Sequence, residues 1–192
     1  LEAIQRAAVK GADLTRQVLA LGRPSTTARY RIDPAPLVER VADLARPIVG
    51  AANEVLAEID GDGPPVLADA DRLEQVLVDL ILNAADAMPS SGGRLVLGYG
   101  DLVIDSADPE TGDLAPGRYG RFTVVDNGSG MDDDTRRKAT EPFFTTKGAD
   151  RGTGIGLAAA ASFGAELGGR VQISSDPGIG TTVELVLPAA PP

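Results

Sequence analysis

A helical run that reaches Met88 stops at Pro89, and two long strand runs follow it, residues 94–105 and 118–126. Glycines at 152, 154 and 156 then open an alanine-rich helix to about Leu167, and strand runs at 169–175 and 181–187 surround the turn Pro177-Gly178-Ile179-Gly180. Few folds accept this order. Each helix must bury one stripe and each strand pair one face, so the economical solution is a mixed sheet with helices packed on one side. The segment before it fits the same layer. Asp33-Pro34 is a capping residue followed by a proline of the first turn, predicting a helix to about Val49. Residues 54–59 alternate like a strand, 61–65 form a glycine- and proline-rich turn, and 66–68 form a short strand. Asp69 or Asp71 then caps the helix that ends at Met88. The expected fold class is α+β: a two-layer sandwich with a mixed β-sheet covered on one face by helices.

One helix stands outside that layer. Leu1, Ile4, Ala8, Leu14, Val18 and Leu21 recur at helical spacing, and Gly22-Arg23-Pro24 ends the run. The chain opens inside this helix without an initiating Met, which predicts a piece of a longer protein. Residues 24–33 read as a linker holding a short strand near 29–32.

Composition excludes several classes of partner. The 192 residues carry a formal net charge of −10, which disfavours nucleic acid and anionic membrane as partners. The absence of cysteine excludes disulfide and thiolate chemistry. No apolar run reaches the ~18 residues of a membrane span. Aromatic residues are only 4% of the chain, so the core must be built from Leu, Val, Ile and Ala.

Three polar motifs interrupt this frame. Asp79, Asn83 and Asp86 fall at i, i+4 and i+7 of one helix, on one face, with Leu73, Val76, Leu77, Leu80 and Ile81 opposite. The Asn83 amide oxygen suits magnesium, which takes one or two protein oxygens and fills its other positions with water and phosphate. The same residue could equally be a hydrogen-bonding asparagine in a packing face. Asp126 ends the apolar strand Phe122-Thr123-Val124-Val125 and enters Asn127-Gly128-Ser129-Gly130. A carboxylate there would accept from the exocyclic amine of adenine and repel the carbonyl of guanine, or it would simply begin a turn. Gly152-Thr153-Gly154-Ile155-Gly156-Leu157 opens a helix, where free amides attract phosphate. The spacing is neither a P-loop nor a Rossmann fingerprint. Ahead of it stand two adjacent aromatics, Phe143 and Phe144, which could dock a flap, and the cations Lys147 and Arg151.

In this order the segments resemble the catalytic, ATP-binding domain of sensor histidine kinases, within the GHKL superfamily, over about residues 33–188. Asn83 stands at the asparagine box and Asp126, Gly128 and Gly130 at the first glycine box. Glu141-Pro142-Phe143-Phe144 matches the phenylalanine box, Gly152, Gly154 and Gly156 the second glycine box, and Gly178-Ile179-Gly180-Thr181-Thr182 the terminal Gly-x-Gly-Thr motif. The resemblance implies an enzyme that binds ATP and Mg2+. Asp126 would read adenine, Asn83 would hold the metal, and Gly154 to Leu157 would cradle phosphate. Residues 128–152 would form a lid with Lys147 near the phosphates, and Thr181 or Thr182 would assist at the base. The nucleotide site implied also takes in Asp86, Ala87, Met131, Phe144, Thr146, Arg151, Thr153 and Ile155.

The same resemblance implies domain limits of 34–188 for the catalytic domain, with a tail at 189–192. Residues 1–23 would be the second helix of a dimerisation and phosphoacceptor hairpin. Its partner helix would carry the phosphorylated histidine, and the chain itself contains no histidine. The implied context is a cytoplasmic homodimer that passes a phosphoryl group to that histidine and then to a response-regulator receiver domain. Asp79 departs from the usual Asn of these kinases. Asp79 could act as a base for an incoming histidine, make a water-mediated magnesium contact, or be a solvated carboxylate beside the site; the water-activating GHKL ATPases carry the longer Glu there, so a second reading makes the chain an ATPase using Asp79. A third makes it a nucleotide-sensing module without catalysis.

Overall fold

The computed structural model describes residues 28–191, apart from 62, 90, 106–113 and 148–151. The expected helix at 1–21 and the hairpin assignment of 1–23 lie outside the described residues. Among the described residues seven strands and four helices run β1 (Tyr30–Ile32), α1 (Pro34–Val49), β2 (Glu54–Ile59), β3 (Val66–Ala68), α2 (Ala70–Ala87), β4 (Arg94–Ile104), β5 (Gly117–Asp126), α3 (Asp133–Lys138), α4 (Gly156–Glu166), β6 (Arg170–Asp176) and β7 (Gly180–Pro188). The five long strands form one sheet in the order β2-β4-β5-β7-β6, with β2 parallel to β4 and every other pair antiparallel. This is the mixed sheet expected from the sequence. The short strands β1 and β3 pair separately, Tyr30 opposite Ala68. Val66 bridges to Ala189, and the Ala190 amide donates to the Pro65 carbonyl, so the chain past β7 is held against this small sheet.

Capping sets where the helices begin. Asp33 accepts from the Ala35 amide with Pro34 in the first turn of α1, and Asp69, not Asp71, accepts from the amides of Asp71 and Arg72 at α2. Asp132 does the same for α3 through the Thr135 amide. Helix α4 starts at Gly156, two residues later than expected, because Gly154 is left-handed at φ 63° and cannot belong to a helix.

The core lies between the helices and one sheet face. Leu37, Val38, Val41 and Ala45 of α1, Leu73, Leu77, Leu80 and Ile81 of α2, and Ala160 and Phe163 of α4 meet Leu95, Leu97, Tyr99, Phe122, Val124, Val183, Leu185 and Leu187 from the strands. Strand residues of one parity face these helices, the period-2 rule at work. Tyr99 and Phe122, two of the few aromatics, pack with ring centroids 4.6 Å apart. On the opposite sheet face a second, small cluster joins Ile104, Leu114, Tyr119 and Val186. Arg72 at the start of α2 forks onto both carboxylate oxygens of Glu166 at the end of α4, 3.1 and 2.9 Å, and lies 5.1 Å over the Phe163 ring. That clamp fixes α4 against α2, and so fixes the end of α4 that faces the site.

Candidate functional site

A cleft of about 470 Å³ opens between α2, the ends of β5 and β7, and the described residues between Ser129 and Leu157. Asp79, Asn83, Asp86 and Ala87 line it from α2, Asp126 from β5 and Thr181 from β7. Gly130, Met131, Phe144, Thr146, Lys147, Gly152, Thr153, Gly154, Ile155, Gly156 and Leu157 complete the wall from the residues between β5 and α4 and from the start of α4. The volume suits a ligand of nucleotide size. Arg151 is outside the described residues. Two expected positions do not reach the cleft. Gly128 is buried behind it and donates its amide to Asp126 Oδ1 at 2.8 Å. Thr182 follows Thr181 in a strand, so its side chain falls on the other sheet face, and of the two threonines only Thr181 faces the cleft.

Asp126 is 8% exposed. Burial pushes its pKa above the ordinary carboxylate range, while the amides of Gly128 and Thr181 donate to it and oppose the shift. An ionised carboxylate has about four acceptor positions, and two amides leave the rest for the cleft. Asp79 is also raised by burial, against a hydrogen bond from Gln75 Nε2 at 2.9 Å. Asn83 lies between the two halves of the site: a Cβ built at Gly156 would come within 3.0 Å of Asn83 Nδ2.

The glycine turn after Asp126 is wedged. Ser129 donates its amide to the Ala87 carbonyl at 2.9 Å and accepts from the Gly178 amide at 2.7 Å. Gly130 is left-handed at φ 65°, and a Cβ there would stand 1.9 Å from the Asp176 carbonyl oxygen. Just beyond, the Met131 amide donates to Ser175 Oγ at 2.8 Å. Ser175 in turn donates to the Gly180 carbonyl at 3.0 Å and lies 2.9 Å from Thr181 Oγ1. The sequence offered no signal for Ser175, which stands behind the cleft wall, whereas Ser129, Thr135 and Thr145 line the cleft and fall within the expected lid at 128–152 without being singled out.

On the far side, the Phe143 amide donates to the Gly154 carbonyl at 2.9 Å, and a Cβ at Gly154 would strike the Phe143 carbonyl carbon at 2.4 Å. This close approach places Phe143 itself at φ 68°, exposed, while Phe144 turns into the cleft. Helix α4 then begins at Ile155 with no side-chain cap, whereas aspartates cap α1, α2 and α3. Among the described residues no side chain caps its first amides, and Ile155, Gly156 and Leu157 line the cleft. Lys147 Nζ pairs with Asp86 Oδ2 at 2.7 Å across the mouth.

Residues 68–191 match the family model described as histidine kinase-, DNA gyrase B- and HSP90-like ATPase. The chain belongs to this family. Within this ATPase family its relatives are sensor kinases of two-component signalling. It is 36% identical over 186 residues to the sensor kinase CckA of Brucella abortus, covering 96% of this chain and 20% of that protein. It is 30% identical over 177 residues to the signal-transduction histidine-protein kinase AtoS of Escherichia coli, covering 92% of this chain and 26% of AtoS. The chain thus spans about a fifth to a quarter of these relatives. Among solved structures, full-length ShkA in complex with AMPPNP superposes with a TM-score of 0.77 at 26% identity, over 100% of this chain and 38% of ShkA. The catalytic domain of the histidine kinase ThkA shares the fold, with a TM-score of 0.68 at 24% identity over 85% of this chain and 97% of that domain. The chain is therefore an ATP-binding catalytic domain of the sensor histidine kinase kind. No helix among the described residues is long and apolar enough to cross a membrane.

Proposed function

We propose that the cleft is the phosphoryl-donor site of a two-component histidine kinase, and that it hands the terminal phosphoryl group of ATP to a histidine outside this chain. The observation that carries the reading is the pairing, in one cleft, of a buried acceptor at Asp126 with an uncapped helix start at Ile155. The first selects an amine-bearing base, and the second attracts phosphate. A carboxylate cap on α4 would repel that phosphate, which accounts for the break in the pattern of aspartate caps. An AMPPNP complex of the similar kinase ShkA points the same way. With no histidine in the chain, the acceptor must be supplied by another segment or subunit, and a receiver-domain aspartate would be the acceptor after that.

In this reading Asp126 and Thr181 hold the base, Gly154 to Leu157 hold phosphate, and Lys147 reaches the phosphates once it leaves Asp86. The donor set also fits a magnesium that arrives with the nucleotide. Among the described residues no group of three or more acidic side chains could hold a metal alone, while Asn83, whose Nδ2 is the atom nearest Gly156, carries a neutral oxygen on the cleft wall. When bound, the ion would neutralise charge developing on the phosphates. The protein supplies position: it lays the nucleotide along α2 and leaves the terminal phosphate at the mouth for the attacking imidazole nitrogen.

A second reading rests on Asp79. Its raised pKa and its place on the cleft wall suit a base that takes a proton from water, which would make the chain an ATPase. One experiment separates the two. The chain is incubated with ATP labelled in the terminal phosphate, with and without a histidine-bearing helical hairpin from a relative such as CckA. The donor reading expects acid-labile label on the hairpin, lost in Asn83→Ala. Steady phosphate release without the hairpin, abolished by Asp79→Asn, would replace it with the ATPase reading.

A further inference from the structure

Asp126, Thr181 and Ser175 form a row across three strands, since Asp126 pairs with Thr181 and Thr181 with Ser175 in register. All three side chains lie on the sheet face that carries the helices. The first two line the cleft, whereas Ser175 stands behind them. Resting on the adenine reading above, we infer that Ser175 is a positioning residue that sets base specificity without touching the base. It fixes the direction of the Thr181 hydroxyl proton.

A serine hydroxyl has one proton and two lone pairs. Ser175 Oγ has three neighbours within hydrogen-bond distance: the Met131 amide at 2.8 Å, the Gly180 carbonyl at 3.0 Å and Thr181 Oγ1 at 2.9 Å. The amide only donates and the carbonyl only accepts. With its proton donated to Gly180 and one lone pair accepting from Met131, Ser175 keeps one lone pair for Thr181. The Thr181 hydroxyl donates into it. Its proton then points away from the cleft and its lone pairs point toward it. Beside it stands Asp126, an acceptor when ionised. The base edge of the cleft is a wall of acceptors. It welcomes the exocyclic amine of adenine, or water bound there, and opposes the carbonyl that guanine presents.

Removing the Ser175 hydroxyl frees the Thr181 proton to rotate into the cleft, where it can donate to a carbonyl. The same change removes the acceptor for the Met131 amide at the root of the lid, which should weaken every nucleotide alike. Only the first effect alters the ratio between bases, so the ratio separates positioning from a merely structural role.

The test measures ADP and GDP affinity of the whole chain by competition against a fluorescent adenine nucleotide, with melting curves for each variant. Ser175→Ala is expected to narrow the ADP preference by about two- to tenfold, the range of one neutral hydrogen bond. Ser175→Thr, which keeps the hydroxyl, should restore it. Thr181→Val should narrow the preference by itself, and adding Ser175→Ala to it should change the ratio no further, a coupling that a double-mutant cycle reads directly. The inference is overturned if Ser175→Ala weakens ADP and GDP by the same factor or leaves both unchanged. Should that variant fail to fold, an unaltered ratio in Thr181→Val overturns it as well. A wild-type chain without ADP preference, or an Asp126→Asn chain with full ADP affinity, would instead sink the adenine reading itself, and no Ser175 variant is needed to see that.

Discussion

Replacing Asp126 by asparagine should separate what this residue does for the nucleotide from what it costs the fold. The two amides that reach the carboxylate, from Gly128 and Thr181, both donate. The new amide must turn its single oxygen toward them, because its NH2 would face their N–H groups. That orientation points the NH2 into the cleft, so an acceptor becomes a donor exactly where the adenine amine would sit. The lost interaction is a hydrogen bond to a charged group, about 1.5–3 kcal/mol, or about ten- to hundredfold in Kd. Stability should move the other way. Burial holds the Asp126 pKa above its unfolded value, so between the two values the folded chain keeps a proton that the unfolded chain has released. Stability is full below the unfolded pKa of about 3.9 and declines as pH rises through the higher folded value. Asp126→Asn removes that decline. Calorimetric titration with ADP, paired with melting curves from pH 4 to 8, tests both halves. The expected result is lost affinity with a melting temperature at pH 7 equal to or above wild type. Unchanged ADP affinity refutes the reasoning, and so does a melting temperature that collapses with the affinity, since Asp126 would then be a prop of the fold.

Three further outcomes follow from the geometry. Asp86→Asn breaks the ion pair with Lys147, which a nucleotide recruiting that lysine would otherwise have to break. ATP binding should tighten about two- to fivefold, the reach of a partly exposed pair, and weaker binding in a titration would show that Asp86 serves the nucleotide directly. Gly154→Ala forces a left-handed alanine, about 1–2 kcal/mol, and drives its methyl into the Phe143 backbone. It should lower the melting temperature and abolish nucleotide binding, and a structure showing Phe143 still at positive φ would contradict the cause assigned here. Arg72 holds the Glu166 pKa below the usual range, so this clamp stabilises the fold above the unfolded glutamate pKa and is lost as pH falls through the lower folded one. Glu166→Gln should flatten the acid limb of a pH–stability curve, and an unchanged limb would exclude the clamp.

Much of this was legible in the sequence because local chemistry dictated it. Asp33-Pro34 and Asp69 are caps whose hydrogen bonds reach only two or three residues, and the strands of the five-stranded sheet lie within a residue or so of their expected limits. The i, i+4, i+7 spacing of Asp79, Asn83 and Asp86 was enough to gather them on one wall. What escaped was set by distant pairing. Nothing near Ser175 announces that it will stand beside Thr181, because that depends on the β6–β7 register, and Ser129 becomes part of the cleft only because Ala87 and Gly178 grip it. The choice between Thr181 and Thr182 turned on strand parity, which a one-residue slip in register would reverse. The later start of α4 comes from Gly154, which is helix-compatible in sequence but left-handed at φ 63° where it packs on the Phe143 backbone.

The central claim is that this cleft selects an adenine nucleotide. Titrating the whole chain with ADP and with GDP, each with magnesium, in one calorimeter at fixed salt tests it most directly. The expected result is a single saturable site for ADP and affinity for GDP lower by about tenfold or more, the weight of a charged hydrogen bond gained or opposed at Asp126. Equal affinity for the two, or no heat from either, would contradict it.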